Sequence, residues 1–455
     1  MKIRRVKRSC RVAVLGRWAM PKLPGSGLAI QLIMALLWSV TPLQAEALLL
    51  TGATVHTVSG ETLAPGQVLM EDGKIAAVGK SLSATGAKIV LLDGLHLYPG
   101  LIALNTDLGL VEIEAVRATV DAREVGEYTP DVESWIAVNP DSELLPVARA
   151  NGVSHFEPVP QGGVVAGQSA LLALAGWTSA QMVIRKPIAL HIYWPSADLD
   201  PTSKERTRNK EKWKSLEAQD KERQEKLKAL DDFFAEARAY LKAKEQAKGG
   251  DTGFQKVPAW EAMLPIVRGE IPITIHADDV RQIRAAVKWA GTNPYNIILA
   301  DARDAWKVAD LLATNNVPVI FSHVFTQPVH EADGYDVHFS APEALRKAGV
   351  KVVFSAGGGS LVKNLPYAAA QAVAFGLPAD AALKGITLYP AQLAGVGGQL
   401  GSIEAGKEAT LFAADGDILD IRSNVKRMWI AGQEVRLDNR HTRLYEKYQQ
   451  RPKTP

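Results

Sequence analysis

Cysteine is nearly missing: of 455 residues only Cys10 is one. That rules out an internal disulfide and any zinc site built from cysteines. Aromatic residues are sparse at 7%, and neither sign of charge dominates, with 52 Lys and Arg against 49 Asp and Glu for a net +3. No apolar run is long enough to span a bilayer comfortably. The 47% apolar and 22% charged shares fit a globular chain, neither disordered nor fibrous. At this length one large catalytic-type core plus a smaller unit is expected.

The first 45 residues differ from the rest. Lys2, Arg4, Arg5, Lys7, Arg8, Arg11, Arg17 and Lys22 give a basic, acid-free start; residues 28–38 are apolar, and Leu43-Gln44-Ala45 ends small. That order is a secretory signal peptide. Cleavage after Ala45 is expected, with translation starting at Met1 or at Met20, which gives the more usual basic region. The cut removes Cys10 and eight basic residues, leaving a net charge of −5. Nothing basic then recommends nucleic acid as a partner, and no membrane span remains. Export, to a periplasm, is the expected location.

Residues 46–98 read as short strands punctuated by turns, with Asp72-Gly73 between two β-rich runs as the sharpest hairpin signal. Strand-like runs return in 400–440, and the two sets are expected to form one composite β domain. Between them, in 99–399, strand-length apolar runs at 271–275, 296–299, 317–321 and 350–354 alternate with helix-length segments such as 280–290 and 304–313. Strand and helix in alternation predict parallel βαβ units. Repeated over this length they suit a (β/α)8 TIM-like barrel with a small β-sandwich domain from both chain ends. Within the barrel, 203–250 is a charged helical insertion ending at Gly249-Gly250. Leu227, Leu230, Phe234, Ala237 and Leu241 give it one apolar face, so docking on its own barrel is expected rather than a partner or lid role.

Tyr98-Pro99-Gly100-Leu101-Ile102 follows the first β segment, and Leu400-Gly401-Ser402-Ile403-Glu404-Ala405-Gly406-Lys407-Glu408-Ala409-Thr410-Leu411 closes the other end. Together these blocks resemble the entry and closing signatures of the amidohydrolase superfamily, most similar to its imidazolonepropionase-like and prolidase-like members. The resemblance implies a metal-dependent hydrolase, with His-x-His on the first barrel strand. Residues two apart on a strand point the same way, so both imidazoles would face one metal. Here Asn105 and Asp107 stand on those positions.

By the same resemblance His276, in Ile275-His276-Ala277, matches a ligand position of a middle strand. Asp301 stands where another histidine is common, and Ala356 or Gly357 where a catalytic aspartate belongs. A mixed site of His276, Asp107, Asp301 and Asn105 is thus expected for one divalent ion, zinc by family, manganese or magnesium by ligand type; the alternative is no ion. Gln168, in the glycine-rich run 161–168, and Ser355 and Gly357 are the expected substrate contacts. That run lacks the ending of a phosphate loop, and Ser355 lacks a nucleophile elbow. His323, His330 and His338 do not have helical ligand spacing, and a solvent-facing loop is expected there.

Two functions remain open. One is an amidohydrolase-like enzyme acting on non-peptide carbon–nitrogen bonds of a small molecule through a weakened metal site. The other is a catalytically silent barrel acting as a small-molecule binding protein or as partner subunit of a competent paralogue. Assembly as a homo-oligomer or with a paralogous subunit is open to either.

Overall fold

The computed structural model describes residues 47–247, 254–293 and 295–451. The expected signal segment 1–45 and the Gly249-Gly250 end of the insertion lie outside the described residues. Strands β1 (Leu48–Val55), β2 (Leu63–Glu71) and β3 (Lys74–Gly79) form an antiparallel meander. Asp72 and Gly73 turn β2 into β3 with φ of 48° and 76°, the two positive angles that an Asp-Gly turn supplies. Two strands run parallel to β1 and share its other edge: β4 (Lys88–Leu91) beside Leu48–Thr51, and β5 (His96–Pro99) beside Thr54 and Val55.

The chain then enters a second eight-stranded sheet. Its strands are β6 (Leu101–Thr106), β7 (Val153–Pro158), β8 (Val165–Ala173), β9 (Val183–Tyr193), β10 (Ile273–Ala277), β11 (Ile297–Asp301), β12 (Val319–Phe321) and β13 (Val352–Phe354). They pair in chain order and curl into a TIM-like barrel. Ser355 and Asn105 meet across the seam, the Ser355 hydroxyl donating to the Asn105 carbonyl at 2.9 Å. The alternation is not unbroken. β8 lies antiparallel to both neighbours, while the other ladders are parallel. A reversed strand needs only tight turns at its ends, so no crossover helix covers this side.

The cover comes instead from the segment between β9 and β10. Helix Pro258–Val267 buries Met263, Leu264 and Ile266, and the Gln168 side chain of β8 donates to the Ala262 carbonyl. Behind it, the charged helix Leu216–Ala247 buries Leu230, Phe234 and Ala237. Phe234 packs edge-on to Trp289 at 5.1 Å, and Phe233 against Trp260. Burying one such phenyl side chain contributes about 2–3 kcal/mol.

Past the barrel the chain returns through β14 (Leu411–Ala414), β15 (Val425–Ile430) and β16 (Gln433–Glu434). β14 pairs antiparallel with β5, so both ends of the described chain share one sheet. Leu50, Val55, Met70 and Leu97 from the first end pack with Leu411 and Trp429 from the second. Inside the barrel the lower layer is apolar: Ile102, Leu171, Ile298, Ile320 and Val353 rest on Ala391, Val396 and Leu400. The upper layer is not.

Candidate functional site at the barrel mouth

The upper layer is a continuous polar chain near the strand ends, where barrels of this kind carry their chemistry, joined by Ser169 from the middle of the reversed β8. Glu157, one residue from the end of β7, accepts the Asn105 backbone N–H at 3.0 Å and the Ser169 hydroxyl at 2.6 Å. Ser169 Oγ is 2.8 Å from His191 Nε2, which lies 3.4 Å from Glu157 Oε1. His191 Nδ1 faces His276 Nε2 at 3.0 Å, and His276 Nδ1 donates to Asp301 Oδ2 at 2.9 Å. Asn105 closes the chain by donating from Nδ2 to Asp301 Oδ1 at 2.8 Å and to Ser322 at 3.2 Å. The Tyr193 ring stacks on His276 with centroids 4.2 Å apart.

Local backbone aims these groups inward. Asn105 and Asp301 adopt φ of 55° and 67°, a left-handed conformation that Asn and Asp tolerate better than other side-chain-bearing residues. The β6–β7 ladder is irregular between Ala103 and Thr106, around Asn105, and such bulges re-aim side chains.

From Glu157 through Ser169, His191 and His276 to Asp301 there are four hydrogen-bond links, each needing one proton. Two ionised carboxylates, one hydroxyl and two neutral imidazoles supply only three. The chain therefore closes fully with one additional proton. Burial works against that charge at His191, pulling its basicity below the ordinary imidazole value, while Glu157 opposes the pull. Burial alone would raise Glu157; bonds from His191, Ser169 and the Asn105 backbone hold it below the usual range. At Asp301 burial is likewise outweighed, by the charge and hydrogen bond of His276 and by Asn105, and the carboxyl sits at about 2.

Of the residues singled out from sequence, Asn105, His276 and Asp301 meet here. Asp107 does not join them: its carboxylate accepts the backbone N–H of Gly359. Gly359, at the end of the Gly357-Gly358-Gly359 run, thus holds a carboxylate of the chain itself. Burial raises the Asp107 carboxyl above its ordinary value. Ser355 is buried at the seam and accepts the Gly357 N–H at 3.1 Å. Gln168 turns outward to Ala262. Sequence reading missed Glu157, Ser169 and His191. The available signal was His155 and Glu157 two apart in the run 153–158, and a single His191 in the apolar run 188–193.

These donors do not fit a divalent ion as they stand. Both nitrogens of both imidazoles face other protein atoms, and a metal needs free lone pairs converging on one point. Among the described residues, acidic and imidazole ligand atoms come together in threes elsewhere, at Asp304, His330 and Asp333, all within 4.8 Å of one another. Lys307 already lies between the two carboxylates, 3.2 Å from Asp304 and 3.1 Å from Asp333. The histidines expected in a solvent-facing loop divide. His330 is half-exposed on Asp304 at 3.1 Å, His323 bonds Asp278 at 2.8 Å, and His338 is buried in helix Val337–Lys347.

Comparison with known proteins agrees with this architecture. The profile of the Amidohydrolase family matches residues 186–435. A curated relative, amidohydrolase tasK of Hapsidospora irregularis, is 27% identical over 177 residues, which are 38% of this chain and 18% of that protein. A solved amidohydrolase from Thermotoga maritima MSB8 superposes with a TM-score of 0.74 at 24% identity, covering 86% of this chain and all of that one. A prolidase complexed with N-methylphosphonate-L-proline superposes at 0.52 and 16% identity, covering 86% and 99%. The chain belongs to the amidohydrolase family. Membership points to a hydrolase of carbon–nitrogen bonds, from a family that is usually metal-dependent. No helix among the described residues is long and apolar enough to cross a membrane.

Proposed function

We propose that the protein hydrolyses a non-peptide carbon–nitrogen bond in a small substrate admitted at the barrel mouth. The supporting observation is the concentration of buried polar groups from Glu157 to Asp301 above an otherwise apolar barrel layer. Buried polar groups are costly, and such clusters mark working sites. In this reading Asp107, whose proton affinity burial raises, takes the proton of the attacking water. Asp301 and Asn105 hold a polar group of the substrate, and Ser355 and Gly357 shape the wall; nothing lies within 4 Å of a side chain added at Gly357.

A divalent ion could enter the mouth only by displacing the His191–His276 and His276–Asp301 bonds, so none is held tightly there, and oxygen-rich surroundings would favour manganese or magnesium over zinc. The protein is exported to the periplasm, so its purified N-terminus begins at Glu46. The test is a panel of lactams, primary amides and N-acyl amino acids, assayed with and without added manganese. Turnover of at least one, lost in His276→Ala, is expected.

The second reading is a silent barrel, binding a small molecule or supporting a competent paralogue. It is favoured by the commitment of every ring nitrogen of His191 and His276 to another side chain. No turnover of any compound under any metal selects it.

A further inference from the structure

Helix Arg440–Gln449 buries none of its ten residues. Helices that short are marginal when nothing packs on them. Two contacts hold this one: a capping box at Asn439, and the Arg443 guanidinium, which grips both oxygens of Glu143 at 2.8 and 2.7 Å. Glu143 leads into helix Leu144–Arg149 on the flank of the barrel. Leu444, Tyr445 and Tyr448 recur at spacings of three and four, so they share one face. At about 100° per residue, that face is turned roughly 150° away from Arg443. The tether therefore holds one side of the helix to its own barrel and turns the apolar side outward, where Leu444, Tyr445 and Tyr448 are 38, 65 and 62% exposed.

A surface that suits this face exists elsewhere on the chain. Phe325, Tyr367, Leu419 and Ile421 line a groove of about 580 Å³, edged by Asp417 and Asp420. Phe325 and Ile421 leave 56 and 74% of their surface in water. The two carboxylates are fixed in position, Asp417 by the Tyr98 hydroxyl and Asp420 by Arg422. The helix carries the opposite sign, since residues 436–451 hold five Lys and Arg against two acids, and Arg440 and Lys447 border its apolar face. Groove and helix also lie on one flank. Asn151, just past helix Leu144–Arg149, donates to the Lys363 carbonyl at 2.8 Å and to the hydroxyl of Tyr367, which lines the groove.

We propose that a second copy of this chain covers that flank, helix Arg440–Gln449 of each protomer docking in the groove of the other. The Arg443–Glu143 tether keeps the outward face of a helix from its own groove, so the two meet only between copies. Every copy carries both features, and a two-fold axis uses each of them twice in a closed contact. The mode is an amphipathic helix laid in an apolar groove, with Tyr445 and Tyr448 as the anchors. The inference does not rest on the hydrolase reading.

Sedimentation velocity of the purified protein tests it. Wild type is expected to run as a dimer at about 20 μM, with a Kd in the micromolar range. Two double variants, Tyr445→Glu with Tyr448→Glu in the helix and Phe325→Glu with Ile421→Glu in the groove, are each expected to weaken self-association at least about thirtyfold. Circular dichroism and melting temperature, read at a dilution where wild type is also monomeric, should not change. The decisive sample is an equal mixture of the two variants. One keeps its groove and the other its helix, so the mixture is expected to regain a dimer through a single contact. A groove variant that still dimerises would mean that helix pairs with helix and would overturn the proposal. A wild-type monomer, a helix variant that dimerises like wild type, or a mixture that stays monomeric would each do the same. A monomer that sediments with phosphatidylglycerol vesicles would give the helix to an anionic membrane instead.

Discussion

Two clusters of acids and imidazoles lie on the same barrel and have opposite chemistry. The inner one, Glu157, His191, His276 and Asp301, is buried except for the partly exposed Asp301, and its lone pairs point at one another's protons. The outer one, Asp304, His330 and Asp333, brings its ligand atoms to within 4.8 Å and is partly open to solvent. Residue inventory would favour the inner cluster as the metal site, because it occupies the strand ends. Geometry favours the outer one, with Lys307 standing where a cation would. Metal competence therefore follows the convergence of lone pairs, not the count of ligand-type residues.

The sharpest way to break the contrast is to remove one end of the inner chain. Glu157→Leu strands the Asn105 N–H, the Ser169 hydroxyl and His191 in the core. A loss of about 3–5 kcal/mol is expected from urea unfolding. A loss below about 1 kcal/mol would mean that the chain is not closed as described.

Just beneath the chain, His155 is fully buried, and burial lowers its imidazole to about 3. The unfolded value is 6.5, so between those limits the unfolded state binds more protons and stability rises with pH. His155 therefore costs nothing above 6.5 and destabilises progressively as pH falls toward 3. At about 1.4 kcal/mol per pH unit, it removes about 3 kcal/mol between pH 6.5 and 4.5. Asp301 carries the opposite ionic character but acts lower, its contribution being lost only as pH falls from 3.8 toward about 2. His155→Leu should therefore flatten the limb above pH 4.5 in unfolding measured across pH and leave the lower limb in place.

At the outer cluster, Lys307→Met removes the competing ammonium. Manganese affinity, measured by calorimetry, should rise about tenfold, or about 1.4 kcal/mol, and vanish on adding His330→Ala. An unchanged affinity would make the cluster a plain ion pair. The smallest effect is His330→Ala alone: the side chain is half-exposed, and stability should move by no more than about 0.5 kcal/mol.

Much of this fold was legible in the sequence because local chemistry agrees with it. Asp72-Gly73 supplies the positive angles of the β2–β3 turn. Gly100 is required at the entry to the barrel, where a Cβ would meet Ser154 Oγ at 2.3 Å. The runs near 273–277, 297–301, 319–321 and 352–354 became strands with ends shifted by one or two residues. The reversal of β8 was not legible, since antiparallel and parallel core strands are both continuous apolar runs when both faces are buried. Nor was half of the inner cluster. His276 and Asp301 stood on recognisable strand ends, whereas His191 and Glu157 acquire meaning only from each other. Ser169 and His191 are 22 residues apart, and His191 and His276 are 85 apart. The glycine-rich run 161–168 was legible as a loop but not as a bed for residues 123–133, because that segment lies about 40 residues earlier.

The central claim is that His191 and His276 are bonded to each other rather than to an ion. Nitrogen-15 spectra of histidine-labelled protein, recorded before and after one equivalent of zinc, test it directly. The expected result is protected ring N–H signals from His191 and His276, with nitrogen coupling across the 3.0 Å link, unchanged by zinc. Loss of that coupling, with metal-type shifts at both rings, would contradict it and restore the mouth as a metal centre.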